Sequence, residues 1–220
     1  MKYRRMPIEI ESPEQIGYGS IRCNLTESSV SDMHLEQLNR LVSPADLALA
    51  YTDHKGKPEL RRLISSGGAG LSEEDILVTA SAAAALFIVS TSLLEAQDHL
   101  VVMRPNYATN IETPRAIGCR VDFLNLRFED GFRLNMDELE ALIKPETRLI
   151  SLTSPHNPTG MVLSRVELQA VINLAEKYNC YLLVDETYRE MNFSSPCPLA
   201  AELNPRCISV SSLSKSYGLP

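Results

Sequence analysis

The sequence has no cluster of lysine and arginine, no long apolar run and no paired cysteine motif, and each absence removes a class of function. Its densest basic spots, "KYRR" and "ELRR", are short and flanked by acids or prolines, and the net charge is −7. A surface built to neutralise phosphates needs the opposite balance, so nucleic acid and anionic membranes are not expected partners. No apolar stretch reaches the ~18 residues that span a bilayer, and "MKYRRMPIEI" lacks the apolar core of a signal peptide. The five cysteines (Cys23, Cys119, Cys180, Cys197 and Cys207) are odd in number, scattered and never spaced C-x-x-C. Three of them lie in or beside strand-like runs, so they read as buried free thiols in a reducing compartment, and the expected location is the cytoplasm. The four histidines are isolated, with no zinc-type spacing, so no metal is expected.

What is present is an apolar, regularly alternating chain. At 220 residues and 44% hydrophobic composition it can bury one substantial core or two small ones. From about residue 56, helical patterns alternate with short apolar runs. Helices are predicted at "PELRRLIS", "SAAAALFIVSTSLLEA", "TNIETPRAIG", "MDELEALI" and "SRVELQAVINLAEKYN", and strands at "DILVTA", "HLVVMRP", "CRVDFLNL", "RLISLTS", "CYLLVDE" and "CISVSS". Near-continuous Val/Ile/Leu strands separated by helices are expected where both faces of a parallel sheet are covered, which makes this a three-layer α/β/α architecture. Residues 1–45 do not fit the alternation. They hold turn-rich "ESPEQIGYGS" and one short helical pattern, "SDMHLEQLNRLV", and read as an N-terminal arm. Residues 46–220 form the large domain.

Ligands of open α/β sheets bind beyond the carboxyl ends of the strands, so the residues after each strand form the candidate site. In "VTASAAAALF", Ser81 can cap a helix whose first N–H groups, at Ala82 and Ala83, suit a phosphate; an ordinary capped core helix has the same pattern. Tyr107 in "RPNYATN" can stack on a flat heterocycle or simply pack at the sheet edge. "SPHNPTG" points one amide, Asn157, from a loop stiffened by two prolines and a glycine, which a plain tight turn does not require. Asp185, closing the apolar run "YLLVD", needs a partner for its charge. Capping the next helix would serve, and so would a cation brought by a ligand, such as a protonated ring nitrogen within reach of Tyr188. Lys215 follows "ISVSSLS"; desolvated there, it loses its proton readily and becomes a nucleophile for an aldehyde, with Ser212 and Ser214 offering hydroxyls nearby.

Together, "VTASAAAAL", "RPNYAT", "SPHNPTG", "VDETYRE" and "SVSSLSKSYGLP" resemble the class I/II aminotransferases, the fold-type I family that uses pyridoxal phosphate. The resemblance runs from about Tyr51 to the last residue. It implies that Lys215 holds the cofactor as a Schiff base and shuttles the α-proton, and that Asp185 pairs with the pyridinium nitrogen, keeping the ring an electron sink. It implies that Asn157 and Tyr188 donate to the ring's phenolic oxygen, which lowers the Schiff-base pKa, and that Tyr107 stacks on the ring. The phosphate falls to Ala82, Ala83, Ser212 and Ser214, with Ser81 standing where the family commonly has glycine. Tyr51, in "YTDHKGKPELRR", is similar to the tyrosine that reaches the phosphate of a second subunit, so a homodimer is implied.

In the family, "SKSYGLP" continues into an arginine that binds the phosphate, the rest of the sheet and a C-terminal small domain whose arginine clamps the substrate carboxylate. Without them, the 220 residues are expected to transaminate poorly. The leading expectation is therefore an aminotransferase moving an amino group between an amino acid and a 2-oxo acid. A pyridoxal-phosphate-dependent carbon–sulfur β-lyase, the effector-sensing module of a regulator and a catalytically inert fragment are the alternatives.

Overall fold

The computed structural model describes all residues except 5, 7–11, 32, 41, 44, 46, 47, 49, 68, 69, 194–196 and 220. The described helices are α1 (Pro13–Ile16), α2 (Leu35–Asn39), α3 (Pro58–Ser66), α4 (Ala82–Leu93), α5 (Ala108–Ile117), α6 (Met136–Leu142), α7 (Arg165–Lys177), α8 (Ala200–Leu203) and α9 (Leu213–Tyr217). The strands are β1 (His99–Arg104), β2 (Arg120–Asn125), β3 (Thr147–Thr153), β4 (Tyr181–Asp185) and β5 (Cys207–Val210).

The five strands form one sheet in the order β2-β1-β3-β4-β5, with every neighbouring pair parallel. Alternation along each strand splits the apolar side chains between two layers. Val101, Met103, Ile150, Leu152, Leu182 and Val184 face α6 and α7 in one core cluster, while Leu100, Val102, Leu149 and Leu183 meet Leu86 of α4 and Ile111 of α5 in the other. This is the expected three-layer arrangement, and it explains why nearly every residue of the central strands β1, β3 and β4 is buried, whichever face it points to. The chain runs from β1 outward to β2, then returns past β1 to β3. The order reverses between β1 and β3, the place where parallel sheets open a crevice at their carboxyl ends.

Two expectations from the sequence need correction. "DILVTA" is not a strand: among the described residues, 76–79 pair with no strand of the sheet, and the Val78 N–H goes to the Lys55 carbonyl at 2.8 Å. Alternating apolar residues fit an extended chain, but a strand also needs a neighbour to complete its ladder. The thiols are not all buried either: Cys180 and Cys207 are buried, whereas Cys23 is exposed. The arm holds α1, a 3₁₀ turn at Tyr18–Ser20 and α2, the last shorter than its sequence pattern; residues 32 and 41 of that pattern lie outside the described residues. Among the described residues no helix is long and apolar enough to cross a membrane.

Candidate functional site

Side chains and backbone groups lace the carboxyl ends of four adjacent strands together. After β1, the Asn106 amide donates to the Met103 carbonyl at 3.0 Å. Its oxygen accepts from the Tyr107 N–H (2.7 Å), Asn110 Nδ2 (3.0 Å) and, across the crevice, Thr153 Oγ1 of β3 (3.1 Å). His156 makes the second tie between the same strands, with Nε2 2.8 Å from the Pro105 carbonyl and Nδ1 2.8 Å from Thr159 Oγ1. A carbonyl only accepts, so Nε2 carries the proton and Nδ1 accepts from the hydroxyl. Burial holds the His156 pKa below its ordinary value, with the Pro105 carbonyl opposing, and this preserves the neutral tautomer. From β3 the lacing continues outward: the Ser154 N–H donates to the Asp185 carbonyl (3.0 Å) and the Glu186 N–H to the Val210 carbonyl (2.7 Å).

Asp185, at the end of β4, is 5% exposed. Its Oδ1 accepts from the Thr187 N–H at 3.1 Å, and no cation among the described residues pairs with it. Burial raises its pKa, and hydrogen bonds from Thr187 and the neighbouring Asn110 only partly offset that. Asn157 and Tyr188, 31 residues apart in sequence, meet, with Asn157 Nδ2 donating to Tyr188 Oη at 3.0 Å.

Lys215 lies in α9, half-buried, and its ammonium has no ion pair or hydrogen bond among the described residues. Ser212 caps that helix, its Oγ accepting from the Ser214 N–H at 3.1 Å and lying 2.6 Å from Ser214 Oγ. Across the sheet edge, α4 packs against β5. Ser81 caps α4, accepting from the Ala84 N–H at 3.1 Å, which leaves the first N–H groups of the helix, at Ala82 and Ala83, outside its internal bonding. The φ of Ser81 is −167°, extended backbone that any residue adopts, so a serine in place of the family's glycine strains nothing. Tyr107 is half exposed at the N-terminus of α5. Tyr51 is fully exposed, and no hydrogen bond among the described residues joins it to the rest of the set.

A buried carboxylate with no cation paired to it among the described residues, a lysine with no ion pair or hydrogen bond among them, two donors converging on one point and a capped helix N-terminus fit an aromatic aldehyde that carries a basic ring nitrogen, an anionic oxygen and a phosphate. Sequence reasoning missed the residues that hold this set in place: Asn106, Asn110, His156, Glu186 and Ser28. Asn106 and His156 stand inside quoted motifs, each beside a singled-out residue, and a polar side chain next to a rigid turn was the available signal. Asn110 closes the quoted "RPNYATN" in the first turn of a helix and Glu186 follows Asp185 in "VDETYRE", whereas no local pattern marks Ser28 in the arm.

The family model for aminotransferase class I and II matches residues 29–220. The chain is 35% identical to the arginine–pyruvate transaminase AruH of Pseudomonas aeruginosa over 178 residues, covering 77% of this chain and 45% of that protein. It is 31% identical to an aspartate aminotransferase of Sulfurisphaera tokodaii, covering 63% of this chain and 36% of that protein. The crystal structure of a PLP-dependent aminotransferase from Streptococcus suis superposes with a TM-score of 0.89 at 31% identity, covering the whole of this chain and 60% of that one. The chain thus spans about half the length of the curated relatives it matches.

Proposed function

The chain belongs to the class I and II aminotransferases, and we propose that it carries the cofactor site of a pyridoxal-phosphate-dependent enzyme that moves an amino group between an amino acid and a 2-oxo acid. When bound, pyridoxal phosphate supplies a protonated aromatic ring that draws in the electron pair left at the substrate's α-carbon. The chain's own residues do the rest. Asp185, the last residue of β4, would hold the proton on the ring nitrogen. Asn157 Nδ2 and Tyr188 Oη would donate to the ring oxygen and keep it anionic. Lys215 Nζ would hold the aldehyde and, when free of it, would take up and return the substrate's α-proton. Tyr107 would cover one ring face, and the Ala82 and Ala83 N–H groups with the Ser81, Ser212 and Ser214 hydroxyls would hold the phosphate.

In this reading residues 1–45 form the arm and residues 46–220 the large domain, and the protein works in the cytoplasm as a homodimer in which Tyr51 serves the neighbour's phosphate. The exposure of Tyr51 supports that assignment. The single observation that carries the proposal is the Asp185 carboxylate, buried with no cation paired to it among the described residues, three residues before the tyrosine of the Asn157–Tyr188 pair. The test is borohydride reduction of the chain after addition of pyridoxal phosphate, followed by peptide mass spectrometry. The expected product is a pyridoxyl group on Lys215, absent in Lys215→Ala and much reduced in Asp185→Ala. A label on another lysine sinks the assignment of Lys215, and a folded chain with no label is the inert fragment.

A further inference from the structure

The hydroxyl of Tyr188 has two partners, and one of them comes from the arm. Ser28 Oγ lies 3.0 Å from Tyr188 Oη, opposite the 3.0 Å bond from Asn157 Nδ2, although Ser28 is 160 residues away in sequence. A phenol has one proton to give and two lone pairs with which to accept. Asn157 fills one lone pair. Were Tyr188 to donate to Ser28, its proton would be spent there. With Ser28 donating, both lone pairs are filled and the phenol proton is left for a third group.

We propose that residues 28–31 form a strap across the site and that Ser28 is a positioning residue, donating to Tyr188 and thereby directing the phenol proton toward the anionic oxygen of the bound ring. Two further contacts dock the strap. The Val30 N–H donates to the Lys215 carbonyl at 2.9 Å. The Ser31 carbonyl approaches Gly218 so closely that a Cβ there would lie 2.8 Å from it, at a φ of +64° that itself favours glycine. The strap therefore reaches the cofactor-oxygen donor and the backbone of the lysine helix at once. A donor on the phenol oxygen makes the phenol a stronger donor in turn, which stabilises negative charge on the ring oxygen. The role toward the cofactor rests on the proposed function; the docking of the strap does not.

Two measurements on the 220-residue chain test this separately. In the cofactor-free chain, amide exchange over residues 28–31 is followed in wild type, Ser28→Ala, Ser28→Thr and Gly218→Ala. Loss of one hydrogen bond is expected to speed exchange by roughly three- to tenfold in Ser28→Ala, with Thr retaining the wild-type rate. Gly218→Ala, which displaces the carbonyl, is expected to speed it as well. The chain is then titrated with pyridoxal phosphate. Ser28→Ala is expected to raise the dissociation constant by roughly three- to tenfold and to move the pH midpoint of the bound cofactor's absorbance band upward, with Thr restoring both. Exchange indifferent to Ser28→Ala overturns the strap. A wild-type chain that binds cofactor, with affinity and midpoint unchanged in Ser28→Ala, overturns the positioning role alone. A wild-type chain that binds none overturns the proposed function, and the cofactor role of Ser28 falls with it.

Discussion

Glu186 shows what one buried group does to stability. It follows Asp185 but turns to the opposite side, where Oε1 accepts from the Ala200 N–H at 3.3 Å and Oε2 is buried with no hydrogen bond among the described residues. Burial pushes its pKa up to about 7 from 4.5, against the lowering influence of Ser209, Ala200 and Arg189. Because the folded value lies above the unfolded one, the native state holds the extra proton between those pH values. Stability therefore falls as pH rises from about 4.5 to about 7, by about 3 kcal/mol in all. Glu186→Gln removes the titrating proton. Its melting temperature relative to wild type should be higher at pH 8 than at pH 5, and a difference independent of pH would contradict the assignment. Asp185, raised by the same cause, has the same sign, and a cation at its carboxylate reverses it. That contrast separates a carboxylate kept for a ligand from one buried for packing, and "DE" in the sequence does not distinguish them.

At the scale of the element, α4 was legible almost entirely. Its apolar run, the serine before it and the absence of glycine or proline inside it predict a capped helix, and Ser81 caps it through the Ala84 N–H. Ser81→Ala should cost about 1 kcal/mol in urea unfolding, with Ser81→Gly costing less. Equal midpoints for Ser81→Ala and wild type would mean that the cap contributes nothing. The run before it, residues 76–79, was legible only as extended chain, because its partner decides whether such a segment joins a sheet. The arm was the least legible element. Short helical patterns carry little information, and what ties residues 28–31 down is the Ser28–Tyr188 hydrogen bond together with the approach of Val30 and Ser31 to the backbone of Lys215 and Gly218.

For the whole molecule, strand order decides where the site lies. The return of the chain past β1 puts the turn carrying Tyr107 beside the loop carrying Asn157, and the His156–Pro105 bond closes the gap between them. Tyr51 belongs to a larger scale still, since it is fully exposed and no hydrogen bond among the described residues ties it to this chain's own site. If it serves a neighbour, the chain should sediment as a dimer and Tyr51→Phe should weaken cofactor binding by roughly three- to tenfold, the value of one hydrogen bond to a phosphate. A concentration-independent monomer with undiminished affinity in Tyr51→Phe would remove that role.

From residue 82 to β5 the alternation of helices and strands, the parallel character of the sheet and the identity of Asp185, Asn157, Tyr188 and Lys215 as candidates were legible in the sequence itself, whereas "DILVTA" was not. Each depends on residues near one another along the chain, where periodicity, capping and turn chemistry act. Which strands are neighbours, which of two adjacent acids faces the site, and that Ser28 meets Tyr188 from 160 residues away were decided only by the tertiary structure. Those contacts arise when distant segments compete to satisfy buried polar groups and cover apolar surface, and no local pattern records the outcome.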